Sequence, residues 1–268
     1  MINALHKLIG GEERKQYFFV IRELTAREIK RKYARSFLGI IWSVLNPLLT
    51  MIVMTMIFSY MFRRSIVNYP LYYLTGSTFW SLFSTSTNTA MSALVDNRTL
   101  LMKVKLPKQT FVLSRIYTAL VNFGYSLVAF AFIVLIYCLS GKLVLNASIF
   151  LLPVDVFFTL LFAIGVSYIL SIAYVFFGDV KYLYSVLLTL WMYTSAIFYP
   201  VEQLPEMIKT VIGYNPVYVS IVFAREIIMN GKVPAITWWV RLIAYGICSF
   251  VVGYFVFKKH ENKVMQKI

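Results

Sequence analysis

The 268-residue chain is 60% hydrophobic and only 14% charged, whereas a soluble domain is about half apolar and about a quarter charged. Its net charge of +15 lies in blocks between apolar runs, which suits membrane orientation and lipid-phosphate contact and argues against a nucleic-acid partner. Cys138 and Cys248 lie inside apolar runs without CxxC spacing, and His6 and His260 stand apart in the two charged tails, so neither a disulfide nor a metal centre is indicated.

The first apolar stretch is broken by His6, Lys7 and the Gly10-Gly11 pair, and it does not read as a secretory signal. Residues 16–36 follow as a charged helix, with Tyr17, Val20, Ile21 and Leu24 on one face and basic residues nearly all round its second half. That pattern predicts a helix at the cytoplasmic interface, with a plain solvated helix as the alternative. Six apolar segments come next, at 37–62, 71–95, 111–140, 149–177, 182–199 and 238–257. A bilayer-crossing helix needs roughly 20 apolar residues. The expected fold is therefore all-α: a single polytopic membrane domain over residues 1–268 with six transmembrane helices. Nineteen Lys and Arg residues fall before span one, between spans two and three, after span four and in the tail, against seven on the other side. The excess places both termini in the cytoplasm.

Two segments depart from plain lipid-facing helix. Span two carries Ser77-Thr78-Phe79-Trp80-Ser81 and then Ser84-Thr85-Ser86-Thr87-Asn88-Thr89. So many hydroxyls must face other helices or a polar cavity. Residues 200–237 hold Pro200, Pro205, Pro216 and Pro234 around apolar pieces too short to span. Short helices dipping into the outer leaflet fit this segment, because irregular backbone at that depth must be buried in protein or line a cavity. A simple external loop is the other reading.

No phosphate-binding G-x-x-x-x-G-K-[ST] loop, H-E-x-x-H pair or nucleophile elbow occurs. Among the eleven acids only Asp155 enters a span, near its outer end. Ion-coupled carriers place ionisable groups near the midplane. One peripheral carboxylate is poor provision for that, so the energy source is expected on another chain. The chain itself is then no enzyme. Trp42, Phe79, Trp80, Phe83, Trp191 and Tyr193 lie deeper than an interfacial aromatic belt requires. Aromatic faces and hydroxyls suit sugar rings, and they also suit ordinary helix packing.

Four ordered pieces carry a family resemblance. Residues 27–48 combine a basic helix, Tyr33, a Leu38-Gly39 step, Trp42 and Pro47-Leu48. The segment 97–108 is basic and ends in Leu106-Pro107-Lys108; Phe198-Tyr199-Pro200 and Pro205 come later, and Asn215-Pro216 and Arg225 close the set. Together they resemble the type 2 ABC exporter permeases, most of all the branch exporting O-antigen, capsule or teichoic-acid polymers. The resemblance implies a homodimeric pore in the bacterial cytoplasmic membrane, with two copies of an ATP-binding cassette subunit that hold ATP and magnesium. A drug or small-lipid exporter of the same fold, or an ion-driven flippase, are the alternatives.

Site expectations follow from that resemblance. Trp42, Asn46, Phe79, Trp80, Phe83, Tyr193 and Tyr199 are expected to line the channel. Arg27, Lys30, Arg31 and Arg35 are expected to meet a substrate pyrophosphate or membrane lipid phosphate. Asn97, Arg98, Lys103 and Lys105 are expected to touch the ATPase subunit. Pro205, Asn215, Pro216 and Arg225 are expected at the external gate.

Overall fold

The computed structural model describes residues 2–61, 66, 68–103 and 106–267, with side chains from position 15 onward apart from that of Met265. Arg63, Arg64 and Lys105 lie outside the described residues. Eleven α-helices and three short 3-10 turns make up the described structure, and no strand occurs among the described residues.

Helix α1 (Ile2–Tyr33) starts well before position 16 and runs through Gly10-Gly11. A turn at Gly39–Ile41, where Gly39 takes φ +50°, redirects the chain into α2 (Trp42–Met61). Pro47 is tolerated there because it lies in the second turn, where little of the preceding ladder is lost. Helix α3 (Tyr69–Met91) opens with Pro70 in its first turn and leads through α4 (Ala93–Asp96) into α5 (Arg98–Lys103). Then come α6 (Gln109–Leu139) and α7 (Leu152–Phe176). After Phe177-Gly178-Asp179 the chain continues as α8 (Val180–Tyr193). The last helices are α9 (Glu206–Gly213), α10 (Pro216–Ile228) and α11 (Ile236–Lys267).

Among the described residues, four helical stretches are long and apolar enough to cross a membrane: Gly39–Met61, Gln109–Leu139, Ala147–Phe176 and Ile236–Val264. Helices α9 and α10, bent by 92°, add a fifth if they count as one broken span. The expected count of six meets two departures. Helix α3 has 23 residues, enough to cross, but its nine Ser and Thr residues lower its hydropathy. Several of those hydroxyls bond back to the carbonyl four residues earlier, as Thr75 does to Leu71 and Thr78 to Leu74, so α3 brings its own partners into an apolar setting. Helix α8 has only 14 residues, about 21 Å at 1.5 Å per residue, and falls short of a hydrocarbon core of about 30 Å.

Helix α3 is the hub, packing on α2, α6, α7, α8 and α10. Its Leu71, Leu74, Leu82 and Phe83 join Val219, Ile221 and Phe223 of α10 in one large core. A second core at the opposite end gathers Leu24, Leu94, Leu101, Phe111, Phe257 and Val264. Helices α1 and α5 and the end of α11 are thereby tied into one layer. Helices α7 and α11 cross through small residues: a Cβ on Gly253 would stand 2.2 Å from the Gly165 carbonyl oxygen. By contrast α2 buries only Met51 and α8 only Tyr184, which leaves two faces uncovered within one chain.

Candidate translocation site

At the end where α1 meets α4 and α5, polar side chains form a compact cluster. Arg27 donates to Asn97 Oδ1 at 2.8 Å, and Asn97 Nδ2 donates to the Ala93 carbonyl at 2.8 Å. Arg115 on α6 pairs with Glu28 and, at 3.0 Å, with Asp96. Thr25 is buried and donates to the Ser114 carbonyl at 3.1 Å. The basic helix is thus fastened to the α4–α5 link and to α6. Arg27, expected at a phosphate, is held by Asn97, expected at the ATPase contact, so both belong to this one cluster. Lys30, Arg31 and Arg35 are exposed, and Arg98 and Lys103, the first and last residues of α5, are exposed as well.

Next to this cluster, between α2, α3 and α6, lies a cavity of about 510 Å³. Its walls carry Lys32, Tyr33, Trp42, Asn46, Ser77, Ser81, Thr85, Asn122 and Ser126. Lys32 Nζ donates to Asn122 Oδ1 at 3.1 Å, and the Tyr33 hydroxyl meets Ser43 and Asn122. The far side of α3 faces a shallower groove of about 330 Å³ against α8, lined by Trp80, Ser84, Asn88, Thr89 and Thr189 among others. Helix α3 therefore turns hydroxyls toward both spaces and the Asn88 amide toward the groove.

The expected channel residues separate into two groups. Trp42, Asn46 and Tyr193 are exposed and Trp80 is half-buried, so each offers surface. Tyr199 is half-buried and bonds through its hydroxyl to the Tyr193 carbonyl. Phe79 and Phe83 are buried. Phe79 packs edge-on against Phe123, while Phe83 stacks on Phe162 and meets Trp191 edge-on. Both rings are packed inside this chain, and Phe79 also borders an apolar cleft.

The expected gate residues form a joint. Asn215 caps α10 by accepting from Val217 N and Tyr218 N, and it also accepts from Trp191 Nε1 at 2.8 Å. Its amide donates to Thr194 and Ser195, so one side chain locks the end of α8 to the start of α10. Pro216 occupies the first helical position beside it, and exposed Pro205 precedes α9. Arg225 is buried and reaches back to the carbonyls of Tyr72, Ala196 and Ile197. Tyr69 and Tyr72 donate to the Phe198 and Tyr199 carbonyls, so α3 staples the irregular 194–200 segment. No group of three metal-ligating side chains occurs among the described residues.

Residues 20–229 match the family described as ABC-2 type transporter, a stretch that takes in the basic helix, the polar α3 and the bent α9–α10 pair. The chain belongs to that family. It is similar to the O-antigen export system permease protein RfbA of Myxococcus xanthus, at 30% identity over 94% of this chain and 96% of that protein. It is also similar to the polysialic acid transport protein KpsM of Escherichia coli, at 19% identity over 91% and 95%. A third relative is the capsule polysaccharide export inner-membrane protein CtrC of Neisseria meningitidis serogroup A, at 26% identity over 71% of each chain.

In an ABC-2 permease the ATP-binding cassette belongs to a partner, which accounts for a membrane chain with no phosphate loop of its own. Sequence reasoning passed over Glu28, Lys32, Tyr33, Tyr72, Arg115 and Asn122 as site residues. Asn122 was the most legible of these, an amide well inside the third apolar segment. Tyr72 and Arg115 acquire their meaning from partners 153 and 87 positions away, which no local pattern encodes.

Proposed function

We propose that this chain is the membrane subunit of an ATP-driven exporter of lipid-linked polysaccharide of O-antigen, capsule or teichoic-acid type. Two copies would form the passage, and two ATP-binding subunits, carrying ATP and magnesium, would drive it. The observation that carries this reading is the double polar face of α3, with hydroxyls toward the α2 cavity on one side and hydroxyls with the Asn88 amide toward the α8 groove on the other. A smooth hydroxyl and aromatic wall exchanges hydrogen bonds with a sliding glycan without holding it tightly. The uncovered faces of α2 and α8 supply the surface on which two copies would meet. Trp42, Asn46, Trp80, Tyr193 and Tyr199 remain as lining residues under this reading.

A six-span arrangement, with α3 crossing and the short α8 crossing together with the 194–200 segment that follows it, would account for the Lys and Arg asymmetry with both termini in the cytoplasm of a bacterial inner membrane. The Arg27–Asn97 and Arg115–Glu28 contacts then lie on the ATPase side, where they would pass a push from nucleotide-driven closure into α6. Exposed Arg98 and Lys103 would face the ATPase, and Lys30, Arg31 and Arg35 would meet inner-leaflet phosphates. The Asn215 joint would set the angle of the outer gate. An apolar cleft of about 470 Å³ among Phe79, Leu120, Phe123, Phe130 and Val156 favours the second reading, a small-lipid exporter.

Chromosomal deletion followed by analysis of the envelope tests the choice. Polymer trapped inside the cell on its lipid carrier is the expected result. Unchanged surface glycan with altered lipid export supports the second reading instead.

A further inference from the structure

We propose that the cavity between α2, α3 and α6 is a binding site for the phosphate and first sugar of a lipid-linked glycan, with Lys32 on the phosphate. This assignment rests on the export reading above and names the place where the substrate is first held.

The volume, about 510 Å³, falls within the range of roughly 300–1,000 Å³ usual for small-molecule sites. The walls are unlike those of a lipid crevice. The side chains of Asn46, Ser81 and Thr85 face the cavity and have no hydrogen-bond partner among the described residues. Asn46 and Ser81 are exposed and Thr85 is half-buried, so these groups are open to a polar ligand that enters the cavity. Sugar hydroxyls, which donate and accept in turn, match them. Trp42 adds a flat apolar face to the same wall.

Among the described residues that line the cavity, Lys32 is the charged one. Lys32 makes no ion pair among the described residues, and its hydrogen-bond partner is the neutral Asn122 amide at 3.1 Å. An ammonium held by an amide keeps its full charge available to an anion. The neighbouring cations Arg27 and Arg115 stand beside carboxylates instead: Arg27 lies 4.0 Å from Glu28, and Arg115 is paired with Glu28 and Asp96. Lys32 and Tyr33 stand where α1 ends and the chain turns into α2, at the same end as the cluster that binds α1 to the α4–α5 link. A headgroup seated here therefore lies beside the coupling layer.

The test uses the permease complex in nanodiscs and four radiolabelled probes: farnesyl-pyrophosphoryl-N-acetylglucosamine, an alkyl glucoside without phosphate, inorganic pyrophosphate, and phosphatidylglycerol. The phosphosugar lipid is expected to bind more tightly than the other three. Lys32→Gln should weaken it about tenfold or more, the size of a lost charge-assisted hydrogen bond, while Lys32→Arg stays within about threefold of wild type. Ser81→Phe, which fills the cavity from its wall, should abolish binding. Should Ser81→Phe fail to assemble, Lys32→Gln at the exposed mouth keeps the test decisive. Equal binding of phosphatidylglycerol or of pyrophosphate alone overturns the assignment, as does wild-type affinity in Lys32→Gln. If deletion of the chain traps polymer while these variants still bind normally, the cavity assignment fails and the export reading stands.

Discussion

The guanidinium carbon of Arg225 lies 3.4 Å from the ring centre of Tyr72, and the same guanidinium donates to the carbonyls of Tyr72, Ala196 and Ile197. Ala196 takes φ +48°, so its carbonyl sits in a turn with no helical partner of its own. The planar fork of Arg can serve several carbonyls and stack on a ring at once, which the point charge of Lys cannot.

Arg225→Lys and Arg225→Leu should therefore both lower stability, each by about 2–4 kcal/mol, because buried carbonyls lose their donors. Gly76→Ala should act on the same joint, since its new Cβ would come within 2.8 Å of Arg225 Nη2. Thermal unfolding of the purified permease measures this. A wild-type midpoint for Arg225→Lys would mean that the fork geometry is dispensable.

A second prediction concerns the α7–α11 crossing. A Cβ on Gly165 would stand 2.2 Å from the Ser249 carbonyl carbon and oxygen, and one on Gly253 would press on the Gly165 backbone. Backbone cannot move aside as a flexible side chain does, so Gly165→Ala or Gly253→Ala must spread the two helices. Overpacking of this kind costs about 1–3 kcal/mol, and the Ala substitutions should reduce the yield of monodisperse protein. Gly124→Ala is the control, because nothing lies within 4 Å of its new Cβ. That variant should be neutral or slightly more stable, as expected for Ala over Gly inside a helix.

Much of the architecture was legible because hydropathy and charge act locally. The apolar runs at 111–140 and 149–177 end within a few residues of α6 and α7, and the Pro-rich 200–237 segment holds the short, bent α9 and α10. What escaped was set by partners far along the chain. The helix through Gly10-Gly11 runs against local propensity. The interiors of Phe79 and Phe83 were not legible either, since an aromatic ring beside a stripe of hydroxyls looks the same on paper whether it faces a passage or another helix. The hydroxyls of α3 did announce a polar environment, but their division between two spaces depends on how α2 and α8 pack.

That division gives a third prediction. Trp80→Ala and Tyr193→Ala remove surface that is open in the single chain, so under the proposed export reading transport should slow while the complex still assembles and hydrolyses ATP. Phe83→Ala removes a ring fixed between Phe162 and Trp191 and should cost about 3–5 kcal/mol of stability before any transport effect is seen. Pulse-labelled glycan at the cell surface, measured together with thermal unfolding, separates the two classes. Normal export by both Trp80→Ala and Tyr193→Ala would remove those residues from the passage.

The polar cluster around Arg115 gives a fourth. Its side chain is 14% exposed and that of Glu28 17%, so the pair is shielded from solvent far better than Arg27, at 55%. Removing one member of a shielded pair strands the other. Arg115→Ala should therefore impair export more than Arg27→Ala, and ATP hydrolysis should continue uncoupled in both. The charge swap Glu28→Arg with Arg115→Glu should recover part of the export lost in either single variant. A double-mutant cycle on export rate reads that coupling directly. A cycle with no interaction between the two sites would show that the cluster only holds the helices together.

The last prediction concerns Asp155, which is fully buried on α7. Its Oδ1 accepts from Ser220 on α10 at 2.8 Å, and the single Thr159 proton is shared between Ser220 Oγ at 2.8 Å and Asp155 Oδ1 at 3.3 Å. Its Oδ2 has no partner, and no basic side chain stands within ion-pair distance among the described residues. A buried carboxylate without a counter-charge is costly, so the negative charge contributes nothing that the shape and the acceptor do not. Asp155→Asn keeps both and should be as stable as wild type or more so, with export intact. Asp155→Leu removes the acceptor that joins α7 to α10 and should lose about 1–3 kcal/mol. Thermal unfolding of the two variants decides the matter: a large loss in Asp155→Asn would mean that the charge itself is required, and α10 would then be held by something other than neutral hydrogen bonding.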